Sequence, residues 1–451
     1  MFSMPSTLSR VVVLVACTFL GLVCGTLYLY SSYGPQLAIR LSYSAADSSS
    51  IGLFGSVGIA LSGPIAGVVV DTYGYTAALS LGAVGIVSGY ACLQRQYDAA
   101  WASVSVSRSA LFLVGCGSTF INSACLKCCA VTFPRMRGVA TALPLALYGL
   151  SAMVFSVAGS MFFSGDPSAF LAFLARASFG VFVVCAPAVM LRDGATTPGQ
   201  TENVPMVDLS RARSPLHAVS SHPVRALSPP RPAAEVSGAR LLRSPRFWLL
   251  FITTGVLAAV GQMYIYSVGY MASALSVAQS DSVVNAEQNQ RLQVSLLSVA
   301  NCVGRLAAGI SGDMVHSWHC PRRWLLVVPV IGLLVAQGSA LAVSAPHRLS
   351  LASSLTGFFY GYTFCIMPLV VGDEFGLRHF SANWGLVGLA PVFPSYYLTS
   401  LFGQVYDSRS VNGVCMSGRV CYDSVFYVTT LAVLLAAVSV ALFNLTGRMR
   451  H

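Results

Sequence analysis

The chain has 451 residues, of which 55% are hydrophobic and only 9% are charged. So few charges cannot solvate a soluble globule of this size, and the composition predicts a polytopic membrane protein. The net charge of +11 comes almost entirely from arginines in short connectors, so it indicates membrane topology rather than nucleic-acid binding.

The first apolar stretch follows Arg10 and runs to the aromatic residues before Gly34. A secretory signal peptide is the alternative, but the stretch is too long and too aromatic at its end, and removing it would leave an odd number of helices. Further spans are predicted at about 51–70, 76–93, 109–133, 138–162 and 168–191, and then at 247–272, 292–312, 323–344, 349–371, 382–405 and 423–443. This pattern predicts an all-α membrane protein with twelve transmembrane helices, in an N-terminal six-helix bundle (1–191) and a C-terminal six-helix bundle (247–451).

Residues 192–246 separate the two bundles and are rich in proline, serine and arginine without apolar periodicity. They predict a disordered linker. Basic residues are more numerous in the connectors on the linker's side of the membrane, which predicts that the linker and both termini are cytosolic. There, anionic lipid would attract the linker arginines, and we expect removal of residues 200–235 to leave transport intact.

Three Ser-Pro dipeptides are candidate phosphorylation sites, although such dipeptides are common in unregulated disordered tracts: Ser214-Pro215, Ser228-Pro229 and Ser244-Pro245.

The predicted span Leu292–Asp313 carries Arg305 in its interior. An unpaired guanidinium inside a membrane costs at least about 2.5 kcal/mol, so we expect Arg305 to face a protein interior or a watery cavity, where it can bind an anion. Two other cations lie within spans: Lys127, the only lysine of the chain, and Arg176. For each of the three, a structural pairing with backbone carbonyls or polar side chains is the alternative.

No acid or histidine lies in the middle of a predicted span, so the usual proton relay is missing. Because the intramembrane charges are all cationic, the sequence favours an anionic substrate and leaves the coupling ion unassigned. Polar and aromatic residues are predicted to complete the substrate cavity, with helix packing as the alternative for each alone: Asn301, Asn122, Tyr28, Gln262 and Tyr360, and as further candidates Thr26, Tyr30, Tyr266 and Tyr362.

A Gly-x-x-x-Asp motif occurs twice, at Gly67–Asp71 and at Gly309–Asp313. Both copies end a predicted span on the linker side, where each aspartate can accept hydrogen bonds from the N-terminal amides of a neighbouring helix. We therefore predict that the glycine and the aspartate of each motif are gating residues: Gly67, Asp71, Gly309 and Asp313. A repeat in corresponding positions of two halves is what a two-bundle transporter needs.

Most of the thirteen cysteines lie inside apolar spans, where they behave as small hydrophobic residues. Cys125 and Cys128 have the spacing of a metal-binding pair, but no second Cys or His pair accompanies them, so packing is the better interpretation. Cys415 and Cys421 lie in a connector predicted to be non-cytosolic, where a disulfide is permitted. The chain carries no phosphate-binding glycine loop, nucleophile elbow, zinc-protease helix or dinucleotide fingerprint, so neither an enzyme nor a bound cofactor is expected.

These features resemble the major facilitator superfamily. The segment Arg137-Gly138 with Ala142–Met153 resembles the fifth helix of fungal monocarboxylate-transporter-homologue proteins and of the related nodulin-like group. A second segment resembles the link between helices ten and eleven in the same families: Phe375-Gly376-Leu377-Arg378, Phe380 and Asn383-Trp384-Gly385. True monocarboxylate carriers pair an acid with an arginine four residues later, whereas here Asn301 and Arg305 occupy those places, so the cation is kept but the titratable acid is lost.

The resemblance implies a vacuolar membrane protein that carries a small solute. The first interpretation is therefore a secondary transporter of a small organic anion that works by alternating access as a monomer, with membrane lipid and the solute as its partners and without nucleic acid. A receptor-like protein that signals through the linker is an alternative, and a passive channel is another.

Overall fold

The computed structural model describes residues 6–43, 45–163, 166–193, 235–278, 283–343, 346–410 and 415–448. In these ranges, eleven helices are long and apolar enough to cross a membrane. One of them, Ala45–Asp98, has 54 residues and is interrupted at Gly74, where φ is 84° and ψ is −173°. This helix therefore provides two spans, and the predicted twelve transmembrane helices are confirmed.

The N-terminal half contains spans α1 to α6. Span α1 is helix Ser6–Cys24, which tightens into the 3-10 turn Gly25–Leu29 and continues as helix Tyr30–Leu41. We name the parts of Ala45–Asp98 before and after Gly74 α2 and α3. The remaining spans are α4 (Val104–Thr132), α5 (Arg137–Phe162) and α6 (Pro167–Met190).

The C-terminal half contains spans α7 to α12, preceded by the single-turn helix Ala239–Leu242. Spans α7, α8 and α10 are continuous helices: Pro245–Ala278, Val283–Ser317 and Pro346–Phe375. Two spans are built from two pieces each: α9 from the 3-10 turn Arg322–Leu326 and helix Val327–Leu341, and α11 from helices Phe380–Val387 and Val392–Ser408. Span α12 is helix Asp423–Arg448.

Two buried apolar clusters form the core, one within the N-terminal half and one centred on the C-terminal half. The second cluster also includes Leu126, Ala142 and Leu145 of the N-terminal half, so it extends across the interface. Glycines allow close helix packing within a half. For example, a Cβ atom on Gly25 would lie 2.1 Å from the Tyr148 carbonyl oxygen, which brings α1 against α5.

Both ends of the predicted linker are packed on the bundles. At one end Asp193 follows α6, and at the other end the amide of Val236 donates to the Phe375 carbonyl at 3.1 Å. Pro245 occupies the first position of α7, a favourable place for a residue without an N–H group. The dipeptides Ser214-Pro215 and Ser228-Pro229 lie outside the described residues.

The connector between α11 and α12 contains a disulfide, which the sequence permitted but did not decide. Cys415 and Cys421 are joined, and both are fully buried. The Cys415 amide donates to the Tyr406 hydroxyl of α11 at 3.4 Å. The bridge closes a loop within the connector, and the hydrogen bond to Tyr406 ties this loop to α11.

Candidate functional site

Arg305 lies on α8 at the interface between the two halves, with only 5% of its surface exposed. Its Nε donates to Asn301 Oδ1 at 2.8 Å, one turn earlier on α8. Its Nη1 donates to the Leu145 carbonyl of α5 at 2.6 Å, so the side chain bridges the two halves. No carboxylate forms an ion pair with Arg305 in the described part of the chain. The guanidinium is therefore held by neutral oxygens.

Tyr148 of α5 lies against the same guanidinium, with its ring centroid 5.6 Å from Arg305 Cζ. Such a contact stabilises a desolvated cation by about 2 kcal/mol. The next residue, Gly149, makes room for this arrangement, because a Cβ there would lie 3.1 Å from Asn301 Oδ1. The Tyr148-Gly149 sequence thus lets α8 bring its Asn–Arg pair close to α5.

Two further tyrosines surround the cation from other helices. The Tyr28 ring, in the 3-10 turn of α1, meets the Tyr148 ring edge-on at 6.0 Å between centroids. Tyr360 of α10 is 4% exposed and packs over Gly261 of α7, where a Cβ would lie 2.2 Å from its ring. Tyr28, Tyr148 and Tyr360 all lie within electrostatic reach of Arg305.

Two predicted polar residues have different surroundings. Gln262 Oε1 accepts a hydrogen bond from Ser395 Oγ of α11 at 2.5 Å, which connects α7 to α11. Asn122 Oδ1 is buried and has no hydrogen-bond partner among the described residues. The structure therefore gathers Arg305, Asn301, Tyr28 and Tyr360 at one place, and Gln262, which is held by Ser395, lies beside the Tyr360 hydroxyl at its border.

Lys127 lies away from this group. Its Nζ is 2.6 Å from Asp71 Oδ1 in an ion pair that is nearly buried, with side-chain exposures of 14% for Lys127 and 3% for Asp71. It also donates to the Arg378 carbonyl at 3.3 Å. The third span cation, Arg176, is exposed and donates to the Ala172 carbonyl of its own helix at 3.2 Å.

Asp71 also contacts the other half, because its Oδ2 accepts a hydrogen bond from the Ala382 amide at 2.8 Å. That amide belongs to the first turn of α11, whose free N–H groups favour a carboxylate. Gly67 allows the approach, since a Cβ there would lie 2.2 Å from the Ser381 carbonyl oxygen. We call Asp71, Lys127 and the Ala382 amide the Asp71 latch.

Asp313 makes the corresponding contact on α8. Its two carboxylate oxygens accept hydrogen bonds from the amides of Gly138 at 2.7 Å and Val139 at 2.8 Å, in the first turn of α5. At Gly309, a Cβ would lie 2.5 Å from the Gly138 carbonyl oxygen, so only glycine permits this contact. The predicted amide hydrogen bonds are thus present in both motifs. We call this arrangement the Asp313 latch.

A charge network supports the Asp313 latch. Arg322 is 2% exposed and donates through Nη2 to Asp313 Oδ1 at 3.2 Å and through Nη1 to Asp373 Oδ2 at 2.9 Å. Arg137 of α5 lies 3.7 Å from Asp373 Oδ1 of α10, which adds another contact between the halves. Asp313 therefore accepts hydrogen bonds from two amides and one guanidinium, whereas Asp71 accepts from one amide and one ammonium group.

Both latches lie on the face of the molecule that also carries the two ends of segment 194–234, and we call it the linker face. Towards the other face, the halves are joined by a hydrogen bond between Ser56 and Tyr266, whose oxygens are 3.5 Å apart. This distance is at the outer limit of a hydrogen bond. The described polar contacts between the halves are therefore concentrated at the linker face and around Arg305.

Sequence reasoning missed several residues that complete these arrangements. Tyr148 lies in segment 142–153, which resembles the fifth helix of the related families, and this resemblance is the signal that points to it. The Leu145 carbonyl and Ser395 could not be found from the sequence, because helix packing alone decides which backbone oxygen or hydroxyl meets Arg305 and Gln262. Arg322 carried a clearer signal, since it follows the second motif and is one of two adjacent arginines.

A nodulin-like family model matches residues 10–207. An uncharacterized membrane protein of Saccharomyces cerevisiae is 28% identical, over 91% of this chain and 90% of its own length. A probable transporter of Wickerhamomyces anomalus, MCH1, is 24% identical, over 89% of this chain and 83% of its own length. Among solved structures, the Escherichia coli fucose:proton symporter FucP superposes with a TM-score of 0.58 at 13% identity, over 95% of this chain and 99% of that chain.

These matches confirm the resemblance on which the sequence interpretation rests. The match to FucP extends over nearly the whole of both chains and, at 13% identity, supports the two-bundle fold alone. The matches to the yeast proteins extend over both halves of the chain, with a probable transporter among them.

Proposed function

We propose that the chain, which resembles the major facilitator superfamily and is similar to a probable transporter of the fungal monocarboxylate-transporter-homologue group, carries a small organic anion by alternating access. The observation that supports this proposal is the environment of Arg305. A buried guanidinium normally has a carboxylate partner, yet Arg305 contacts an amide oxygen, a backbone carbonyl and a tyrosine ring.

The geometry suggests how a carboxylate would bind. A guanidinium has five N–H donors, and the two hydrogen bonds to Asn301 and Leu145 use two of them. The remaining donors suit a bidentate contact with a planar anion. Tyr28, Tyr148 and Tyr360 supply the apolar walls and hydroxyl groups of the site. Asn301 orients the guanidinium without neutralising it, because an amide carries no charge.

The two latches would then form the cytosolic gate. We assign the linker face to the cytosol, following the distribution of arginines in the connectors. The contacts at that face support a state that is closed to the cytosol. In the opposite state α2 would separate from α11 and α5 from α8, which breaks both latches and the bond between Arg305 and Leu145. Lys127 thereby belongs to the gate in this proposal, and Arg305 alone provides the substrate cation.

We propose that the protein is located in the vacuolar membrane, with both termini in the cytosol, and that it functions as a monomer. Tagging the chain at either end and measuring protease protection in isolated vacuoles tests the address and the orientation together. A tag that resists protease in intact vacuoles would contradict the assignment of the linker face.

Counterflow in proteoliposomes tests the transport proposal. Purified protein is reconstituted with a high internal concentration of one carboxylate, and uptake of the same labelled carboxylate is followed over time, with amino acids, sugars and organic cations as parallel panels. A carrier for anions gives transient accumulation with carboxylates only. Uptake without overshoot indicates a channel, binding without uptake indicates a receptor, and counterflow with neutral solutes or cations overturns the anion assignment.

A further inference from the structure

Two acidic residues at the borders of segment 194–234 bind backbone amides at the linker face. Asp193, just after α6, accepts hydrogen bonds from the amides of Tyr75 at 2.5 Å and Thr76 at 2.6 Å. These are the first two amides of α3, directly after Gly74. A Cβ on Gly74 would lie 2.5 Å from Asp193 Oδ1, and its φ of +84° already favours glycine.

Glu235 occupies a similar position in the C-terminal half. Its carboxylate lies over Gly376, whose φ is +86° and where a Cβ would lie 2.5 Å from Glu235 Oε2. The Arg378 amide donates to Glu235 Oε1 at 3.4 Å. The next residue is held at both backbone groups, because Val236 donates to the Phe375 carbonyl and accepts from Asn383 Nδ2 at 2.9 Å.

These two turns are the two sides of the Asp71 latch. Gly74 and Tyr75 follow Asp71 within four residues on the α2–α3 turn. On the α10–α11 turn, the Ala382 amide binds Asp71 and the Arg378 carbonyl binds Lys127. Asp193 therefore fixes the turn that carries the latch carboxylate, and Glu235 fixes the turn that receives it.

We propose that Asp193 and Glu235 are gate-positioning residues, which hold the two turns in the geometry that closes the Asp71 latch. The proposal rests on the gating role given to that latch above. Each carboxylate satisfies amides that a glycine turn leaves without helical partners. Without the carboxylate, those amides turn to water and the turn is free to move away from its partner. The closed gate is then less populated.

Hydrogen–deuterium exchange of the full-length protein in lipid nanodiscs tests the proposal without any solute. The variants are Asp193→Ala and Glu235→Ala, with the milder Asp193→Asn and Glu235→Gln in case an alanine variant does not fold. The matched control is Asp98→Ala, an exposed acid at the opposite end of α3. The informative position is the Ala382 amide, which neither Asp193 nor Glu235 contacts. Because no substrate is present, the outcome is independent of the anion proposal, whose failure would appear in counterflow instead.

We expect each alanine variant to raise exchange about tenfold in its own turn, which corresponds to the loss of a hydrogen bond to a charged group. We also expect faster exchange at Ala382 in both variants, including Asp193→Ala, whose own turn lies across the interface from Ala382. The asparagine and glutamine variants should show the same pattern with smaller changes, and Asp98→Ala should match the wild type. Faster exchange confined to the mutated turn, with Ala382 unchanged, would reduce the two carboxylates to local caps and overturn the proposal.

Discussion

At the scale of single residues, the site depends on a cation whose partners are all neutral. Arg305 is buried, and each of its hydrogen bonds ends on an oxygen without formal charge. Desolvating a guanidinium is costly unless charge or several hydrogen bonds compensate for it. An anionic substrate would supply the missing charge at the moment of binding. In the proposed function, the free protein maintains an unfavourable charge that binding of the anion neutralises.

Replacing Arg305 with alanine should abolish anion binding without unfolding the protein. Truncating one partner of a buried charge pair costs about 2–5 kcal/mol, so we expect the affinity to fall at least about thirtyfold. Stability should be unchanged or increased, because a buried cation is removed from the fold. Binding measured by scintillation proximity and thermal unfolding of the same preparation check both points.

The control for this experiment is Arg176→Ala, which removes an exposed arginine from another span. Arg305→Lys should rescue binding poorly, because an ammonium group cannot reproduce a planar fork of donors. If a monodisperse Arg305→Ala protein binds the anion with wild-type affinity, the substrate cation has been assigned to the wrong residue.

Asn301→Asp should make anion binding depend on pH. The new carboxylate would lie one turn from Arg305, where it would neutralise the guanidinium and compete with the substrate. We expect about a tenfold loss of affinity at neutral pH, or about 1.4 kcal/mol. As the pH falls through the pKa of the introduced carboxyl group and that group is protonated, binding should recover.

The comparison variant for Asn301→Asp is Asn301→Ser, which removes the amide without adding a charge. Affinity is measured for both variants and for the wild type across the same pH range. Parallel profiles for the aspartate and serine variants would show that residue 301 does not control the charge of Arg305.

At the scale of helices, the two halves approach most closely where glycine replaces a side chain. A Cβ on Gly309 would lie 2.5 Å from both the Gly138 carbonyl oxygen and the Ala142 Cβ. Contacts this short cannot be relieved by a side-chain rotation, because one of them is to backbone. The α5–α8 contact must therefore open if Gly309 acquires a side chain.

We predict that Gly309→Val shifts the protein towards the state that is open at the linker face. The Asp313 latch would lose its two amide hydrogen bonds, and exchange of the Gly138 and Val139 amides should rise at least about tenfold. Gly338→Val is the matched control, because a Cβ placed there has no atom within 4 Å beyond its chain neighbours and the adjacent backbone of its own helix. Unchanged exchange at Gly138 in the Gly309 variant, with a well-folded protein, would contradict the role given to this contact.

Sequence reasoning succeeded where a single helix carried the signal. Length and hydropathy were enough to identify the spans, and the motif spacing was enough to expect amide hydrogen bonds at Asp71 and Asp313. It was less informative where the answer depended on packing between helices. Lys127 and Arg305 look alike as lone cations in apolar segments, but an acid from α2 reaches the first and none reaches the second in the described part of the chain. Only the relative placement of α2, α4 and α8 distinguishes them.

The first motif shows the same limit. No basic residue closely follows Asp71 in the sequence, whereas Arg322 and Arg323 follow the second motif. In the fold, Lys127 of α4 supplies a cation from a different helix. Such a substitution cannot be recognised from one sequence, because the residues that meet are 56 positions apart.

At the scale of the whole molecule, the two described borders of the region between the bundles contact the turns of the Asp71 latch. Asp193, Glu235 and Val236 bind the turns of the Asp71 latch. The sequence alone suggested that residues 200–235 are dispensable for transport. With Glu235 placed on the α10–α11 turn, the deletion that tests this idea should end before it.

We therefore predict that removing residues 200–230 leaves counterflow at the wild-type rate. The segment lacks an apolar pattern, so it offers little burial to offset the entropy of ordering it. The shortened chain still has to connect Asp193 to Glu235, and extending the deletion to residues 200–235 provides the matched comparison, because it removes the Glu235 anchor as well. If Glu235 is needed and residues 200–230 are not, only the longer deletion speeds exchange at the Ala382 amide and alters transport. A large loss of counterflow in the shorter deletion, at normal expression and with an intact gate, would instead make the segment a working part of the protein and would favour a signalling role for it.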